Sequence, residues 1–241
     1  FILIGISIIL IYGRMLDNFF YYDEFLWLDN VRNLEQKPLS IFDPIVHPQA
    51  DSLTSLPVSY ITPAVYILYW INYKIFGLNP FGYHLFDLIL HIFNSYLVVY
   101  FVFLLRRNLP LATLAGLLFA LSFAITDAVI WPGAYVDTVM FFFYILSLIA
   151  FCSFLAGGDN YKYFLTMFLF VLSLAAKGTA LTLPLALFFV ERQYASSKIS
   201  IKQLLKYIPF IVIALSYLLL LHHKSISGNM VSSYVMSSGL S

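Results

Sequence analysis

Long, uninterrupted apolar runs constrain this chain more than any other feature: blocks fall at about 83–105, 111–126, 138–156, 162–176, 179–190 and 207–221. Inside lipid only helices and closed barrels satisfy every backbone hydrogen-bonding group. These runs are continuous rather than alternating, which excludes barrel strands. The residues are 61% hydrophobic and 10% charged, whereas a soluble domain carries roughly 25% charged residues. Such a chain cannot cover a water-facing surface, so lipid must be its solvent. The expected fold is therefore all-α, a multi-pass transmembrane helical bundle. A net charge of +1 offers nothing to nucleic acid. The one cysteine, Cys152, lies in an apolar run and excludes an internal disulfide framework or a Cys-based zinc site.

Phe1–Tyr12 reads as the end of a first transmembrane helix. Twelve residues rise about 18 Å, short of the roughly 30 Å of a bilayer core, and no basic region or small-residue cleavage site marks a signal peptide. At the other end, residues 222–241 turn polar and Ser/Gly-rich and read as the start of an external loop. No internal repeat is visible. Residues 13–82 differ from the rest. They hold seven of the twelve acidic residues and, from Pro38 to Pro63, five prolines, too many for a continuous helix. The end of this segment, Tyr60–Phe76, mixes apolar, aromatic and basic residues, a composition suited to a membrane interface.

The basic residues orient the chain. Arg106 and Arg107 close the 83–105 block, and Arg192, Lys198, Lys202 and Lys206 precede 207–221. The positive-inside rule places both clusters in the cytoplasm. Residues 83–105 then run inwards, 111–126 outwards and 138–156 inwards. Segment 13–82 becomes an external loop, and Tyr60–Phe76 must lie on the membrane as an interfacial helix. The same count requires 162–176 and 179–190 to be two short helices that meet outside at Lys177–Gly178, giving about six helices in 83–221.

Several residues are candidates for chemistry. Asp23 and Glu24 precede an amphipathic pattern at Phe25, Leu28, Val31 and Leu34. Asp23 reads either as the N-cap of that helix or as a general base held at the membrane surface. His84, Asp87, His91 and Asn94 share one stripe of the 83–105 helix. They either hydrogen-bond neighbouring helices or line a substrate cavity. The two histidines are two turns apart and cannot share one ion. Asp127 and Asp137 flank a short external stretch and serve either as caps and solvated loop residues or, with Asp23, as an acidic site open to a divalent cation. Lys177, followed by Gly178 and Thr179, is either a snorkelling lysine or a phosphate ligand beside a helix start.

The order of these features resembles the GT-C-type integral membrane glycosyltransferases, in particular the protein O-mannosyltransferase-like group and its relatives with C-terminal tetratricopeptide repeats. Tyr22–Asp23–Glu24 is similar to the acidic motif after the family's first helix. Ile75–His84, with His91 and Asn94, resembles the entry to its second. Thr126–Val129, Trp131 and Val136–Asp137 resemble the next external loop, and Ala175–Leu181 resembles a "KGTAL"-like segment. The likeness covers roughly residues 20–190 and would make the chain the N-terminal portion of such an enzyme. Ser122–Phe123 stands where the family often has His-Pro, Asp127 where it often has Glu, and no arginine occurs in 132–136, which leaves phosphate recognition to Lys177 and to regions beyond Ser241.

The resemblance implies a multi-pass enzyme of a bacterial cell membrane or the endoplasmic reticulum membrane, with interfacial helices in its first external loop. Its donor would be a polyprenyl-phosphate sugar and its acceptor a hydroxyl of a protein or glycan on the extracytoplasmic or lumenal face, with inversion at the anomeric centre. Asp23 would be the base, with Glu24 its competitor. Lys177, Gly178 and Thr179 would meet the donor phosphate, and His84, Asp87, His91, Asp127 and Asp137 would line the cavity. The resemblance fixes no cofactor, and a divalent cation is compatible. A transporter or flippase fragment, or a non-catalytic membrane scaffold, is the alternative.

Overall fold

The computed structural model describes residues 2–21, 24–25, 27–29, 31, 49–50, 57–58, 61–131, 135–194 and 204–237, with side chains at 2–31 and 61–223 within those ranges except 194. It is helical apart from one antiparallel pairing of β1 (Gln49–Ala50) with β2 (Pro57–Val58). The helices are α1 (Ile2–Tyr12), α2 (Pro63–Phe76), α3 (Pro80–Arg106), α4 (Leu109–Ala120), α5 (Thr126–Ile130), α6 (Tyr135–Gly157), α7 (Asn160–Ala176), α8 (Leu183–Tyr194) and α9 (Ile208–Ser237). Short 3-10 turns at Gly13–Asp17, Phe123–Ile125 and Gly178–Thr182 join them.

Local chemistry sets these boundaries. Asn79 and Asn108 cap α3 and α4, each side-chain oxygen accepting a backbone N–H, from Phe81 at 3.1 Å and Leu111 at 3.0 Å. Prolines occupy the first turns of α2, α3 and α4, where the missing N–H has no intrahelical partner to lose. Gly77 ends α2 at φ 59°, a backbone conformation that costs a glycine little.

Two helices, α3 and α6, are long and apolar enough to cross a bilayer, and α4 with its continuation through Ile130 makes a third if the pair is one span. That continuation bends by 50°, so the 111–126 block is a broken element and not the straight helix expected from its hydropathy. The interruption sits at Leu121–Ser122. Around these helices large apolar side chains face outwards, including Ile2, Leu3 and Leu10 of α1 and Leu215, Leu218 and Leu219 of α9. Apolar patches of this extent mark a surface that water does not cover.

Side-chain contacts show which residues share an end of the assembly. Tyr83 and Asp87 meet Tyr135 and Thr138, so α3 and α6 run parallel. His91 reaches the Ala120 carbonyl, which makes α4 antiparallel to α3. Ser173 bonds Met140 and Ser147 bonds Thr166, so α7 returns against α6. Tyr163 of α7 and Glu191 of α8 both meet Lys206. The start of α7 and the end of α8 therefore lie together, and the two helices form a hairpin about Lys177. One end gathers Glu24, Asp127, Asp137 and Lys177; the other gathers Arg106, Arg192 and Lys206.

At the first end, α2 packs Val65 and Tyr69 against Tyr83, Tyr135, Val139 and Ala176 of three different helices. Its fourteen residues rise about 21 Å, less than a hydrocarbon core of roughly 30 Å. Between α3 and α4 the contact depends on small residues. Ala112, Gly116 and Ala120 are buried at four-residue spacing, and a Cβ on Gly116 would fall 2.2 Å from Val99 Cγ2 and 3.2 Å from the Ser95 carbonyl. Such small-residue stripes let helix backbones approach in lipid. Where the sequence reads as a loop after 221, α9 continues to Ser237. Residues 222–237 contain no proline and a single glycine, so nothing there forces the helix to stop.

Gly116→Ala is expected to destabilise the protein by about 1–3 kcal/mol through overpacking. Adding Val99→Ala should recover part of that loss. Thermal unfolding in detergent, followed by tryptophan fluorescence, checks both; equal melting temperatures for wild type and Gly116→Ala would refute the tight contact.

Candidate functional site

The candidate site is assembled from the middle of α3, the bend between α4 and α5, the start of α6 and Lys177 just after α7. Glu24 lies beside it. Its carboxylate accepts the Tyr21 N–H at 2.8 Å while its own N–H reaches the Tyr21 carbonyl at 3.2 Å. The side-chain arm is that of a capping box, while the second bond is an ordinary main-chain turn. The side chain is buried, at 1% exposure. Asp23, the expected base, lies outside the described residues. The capping carboxylate that the structure describes at this helix start is that of Glu24.

The stripe on α3 is buried throughout, yet its members go separate ways. His84 turns towards the main chain of Asn18, and neither ring nitrogen reaches hydrogen-bond geometry. It is not among the residues that line the cavity described below; it sits near the start of α3, beside the chain leaving α1. Asp87, at 0% exposure, accepts the Thr138 hydroxyl at 2.7 Å. It contacts the cavity only through Thr138. Asn94 donates Nδ2 to the Thr138 carbonyl at 3.0 Å. His91 Nε2 lies 3.1 Å from the Ala120 carbonyl oxygen. That oxygen can only accept, so Nε2 carries a proton and the second nitrogen, in the neutral ring, is an acceptor.

A cavity of about 400 Å³ opens between α3, α4–α5 and α6, and its walls include His91, Asn94, Asp127, Trp131, Asp137 and Thr138. Asp127 stands in the first turn of α5 and Asp137 in the first turn of α6. Both occupy positions where a helix N-terminus favours a carboxylate, and Ala128–Ile130, expected to begin the loop between them, continue the helix α5. Lys177 meets Asp137, Nζ to Oδ1, at 2.6 Å, with the two side chains 34% and 37% exposed. The chain leaves the helix at Lys177, whose φ of −158° and ψ of 140° are extended, and resumes as a 3-10 turn at Gly178. The helix start expected at Gly178–Thr179 is this five-residue 3-10 segment, which runs directly into α8. Tyr217 of α9 approaches Gly178 closely, its hydroxyl 3.0 Å from where a Cβ would stand.

Among the described residues no three His, Cys, Asp or Glu side chains converge so as to hold a metal ion. Sequence reasoning missed Thr138 and Tyr135. Tyr135 donates its hydroxyl to the Tyr83 carbonyl and packs on Tyr69 at 4.9 Å between ring centres. Both lie in the first turn of an apolar helix, where nothing in the local sequence distinguishes them from lipid-facing neighbours. Comparison with protein-family models, curated proteins and solved structures finds no match to this chain.

Thr138→Val is expected to leave the buried Asp87 carboxyl without this hydrogen bond and to cost on the order of 1–3 kcal/mol. Combining it with Asp87→Leu should cost less than the sum of the single changes, because both polar partners are then gone. Melting temperatures of the four proteins in detergent measure the coupling; additive losses would show that the pair does not interact.

Proposed function

We propose that this chain belongs to a multi-pass membrane glycosyltransferase of the GT-C type, which moves a sugar from a polyprenyl-phosphate donor to an acceptor hydroxyl on the extracytoplasmic or lumenal face. One observation carries the reading most. Asp137, paired with Lys177, lines a cavity at the end where Glu24 and Asp127 also lie, opposite the end of Arg106, Arg192 and Lys206. With the basic end in the cytoplasm, the cavity faces outwards. The packing of α2 against three helix ends suits an interfacial helix.

In the proposed reaction the acceptor oxygen forms a bond to the anomeric carbon from the face opposite the phosphate. The bond from that carbon to the phosphate oxygen breaks, and its electron pair leaves with the lipid phosphate. The acceptor proton passes to Asp23. Glu24 is the poorer base, since its carboxylate already holds the Tyr21 N–H. Lys177 supplies positive charge where the leaving phosphate gains negative charge. A transporter reading draws on the interrupted helices, the 50° bend before α5 and the break at Lys177. It predicts substrate movement without group transfer.

Turnover of a polyprenyl-phosphate hexose by full-length protein in liposomes tests the reading. Asp23→Asn should lose roughly 10²–10⁴-fold in rate, and Lys177→Met should weaken donor binding while folding persists. Near wild-type turnover in Asp23→Asn removes it as the base; if Glu24→Gln alone is inactive, the base is its neighbour. Single cysteines at Ser122 and Asp159, in a Cys152→Ser background, should label from opposite sides with an impermeant thiol reagent. Labelling from one side would end the proposed topology.

A further inference from the structure

Polar residues mark off how much apolar surface each outer helix offers to lipid. On α7 the interval runs from Lys162 to Lys177, a rise of about 22 Å. Along α9 the interval from Lys206 to the exposed His222 and His223 rises about 24 Å. On α4 the outward-facing leucines run from Leu109 to Leu121, about 18 Å, and there the chain bends by 50°. Large apolar side chains face outwards within these intervals, among them Phe164 and Phe168 of α7 and Leu215 and Leu219 of α9. A typical hydrocarbon core is roughly 30 Å thick, so three helices agree on a band roughly 6–12 Å too short. The longer α6 exposes none of its large apolar side chains and makes no demand on the lipid.

A short apolar band is accommodated by thinning of the bilayer, by long flanking side chains that reach up to the headgroups, or by association with other helices. The flanking cations here are not free to reach. Lys177 Nζ is held on Asp137 at 2.6 Å, and Lys206 Nζ is held on Glu191, each on a neighbouring helix. Asp137 and Lys177 are both partly exposed, and a charge that faces acyl chains is costly. Headgroups or water must therefore come down to Lys177. At the opposite end Arg192 is exposed beside the buried Glu191, which marks the inner level in the same way.

We infer that the bilayer around α4, α7 and α9 is thinned to a hydrocarbon core of about 18–24 Å, and that this surface selects phospholipids with short acyl chains. The inference rests on the multi-pass reading and not on the sugar-transfer chemistry. The test uses full-length protein in liposomes of dimyristoleoyl, dioleoyl or dierucoyl phosphatidylcholine, in order of lengthening chains. Single nitroxides are attached through Leu205→Cys, Leu215→Cys and His222→Cys, all at exposed positions, in a Cys152→Ser background. In dioleoyl liposomes the labels at Leu205 and His222, about 25 Å apart along the helix, should both meet a water-soluble nickel chelate. The label at Leu215 should meet oxygen and not the chelate. Thermal unfolding of the unsubstituted protein, which stays informative if a variant fails to fold, should be highest in dimyristoleoyl lipid and fall by about 2–4 °C with each lengthening. A label at Leu205 or His222 that sits in the hydrocarbon core overturns the inference, as does a melting temperature that holds or rises with chain length. A label at Leu215 that meets neither reagent shows that other helices cover α9 and overturns it too. Depths as described without turnover of a polyprenyl-phosphate hexose leave the thinning standing and remove the glycosyltransferase reading. Turnover with a label at Leu205 or His222 in the core does the reverse.

Discussion

A helix that carries His84, Asp87, His91 and Asn94 on one face cannot present that face to lipid, and the partners those groups find organise the molecule. Through His91 the helix α3 holds the last residue of α4, and through Asp87 and Asn94 it holds Thr138 at the start of α6. Each bond joins buried polar groups, so leaving one unmade is expensive. Small residues on α4 then allow close approach, with Gly116 seated against Val99 and Ser95. The polar stripe and the small-residue stripe together place two helix ends beside one another, and the cavity lies between them.

The second organising element is the break at Lys177. An ammonium inside an apolar helix needs a counter-charge, and here it meets Asp137 where the chain has already left helical geometry. The reversal that follows brings α8 back to the end at which α7 began. Glu191, buried at that end, is met by both Lys206 and the Tyr207 hydroxyl. Each end thus holds a cross-helix ion pair, Lys177 with Asp137 at one and Lys206 with Glu191 at the other.

Much of this organisation was legible in the residues. Lys177–Gly178 interrupts a run that hydropathy alone would join into one helix, and the basic residues near 106 and 192–206 require the turn. The position of α2 follows from the same argument, with Pro63 marking its first turn. The bend after Ala120 was not legible, because Leu121, Ser122 and Phe123 carry no helix-breaking signal strong enough to outweigh their apolar setting. Nor was the continuation of α9 past residue 221, since a polar stretch without proline can be helix or loop.

The sequence by itself determined the helical class and the reversal at Lys177, because each follows from the apolar runs and from local backbone chemistry. Only the tertiary structure decided which members of the α3 stripe share a site. His84, Asp87 and His91 stand at helical spacing and look equivalent in sequence, yet His84 faces the chain leaving α1, Asp87 is covered by Thr138, and His91 reaches the cavity wall. Asp137 and Lys177 are 40 positions apart, and only the antiparallel packing of α6 and α7 brings them into contact. Spacing along a helix states which residues share a face, but the neighbour each one meets depends on how the helices pack, and that is a property of the assembled core.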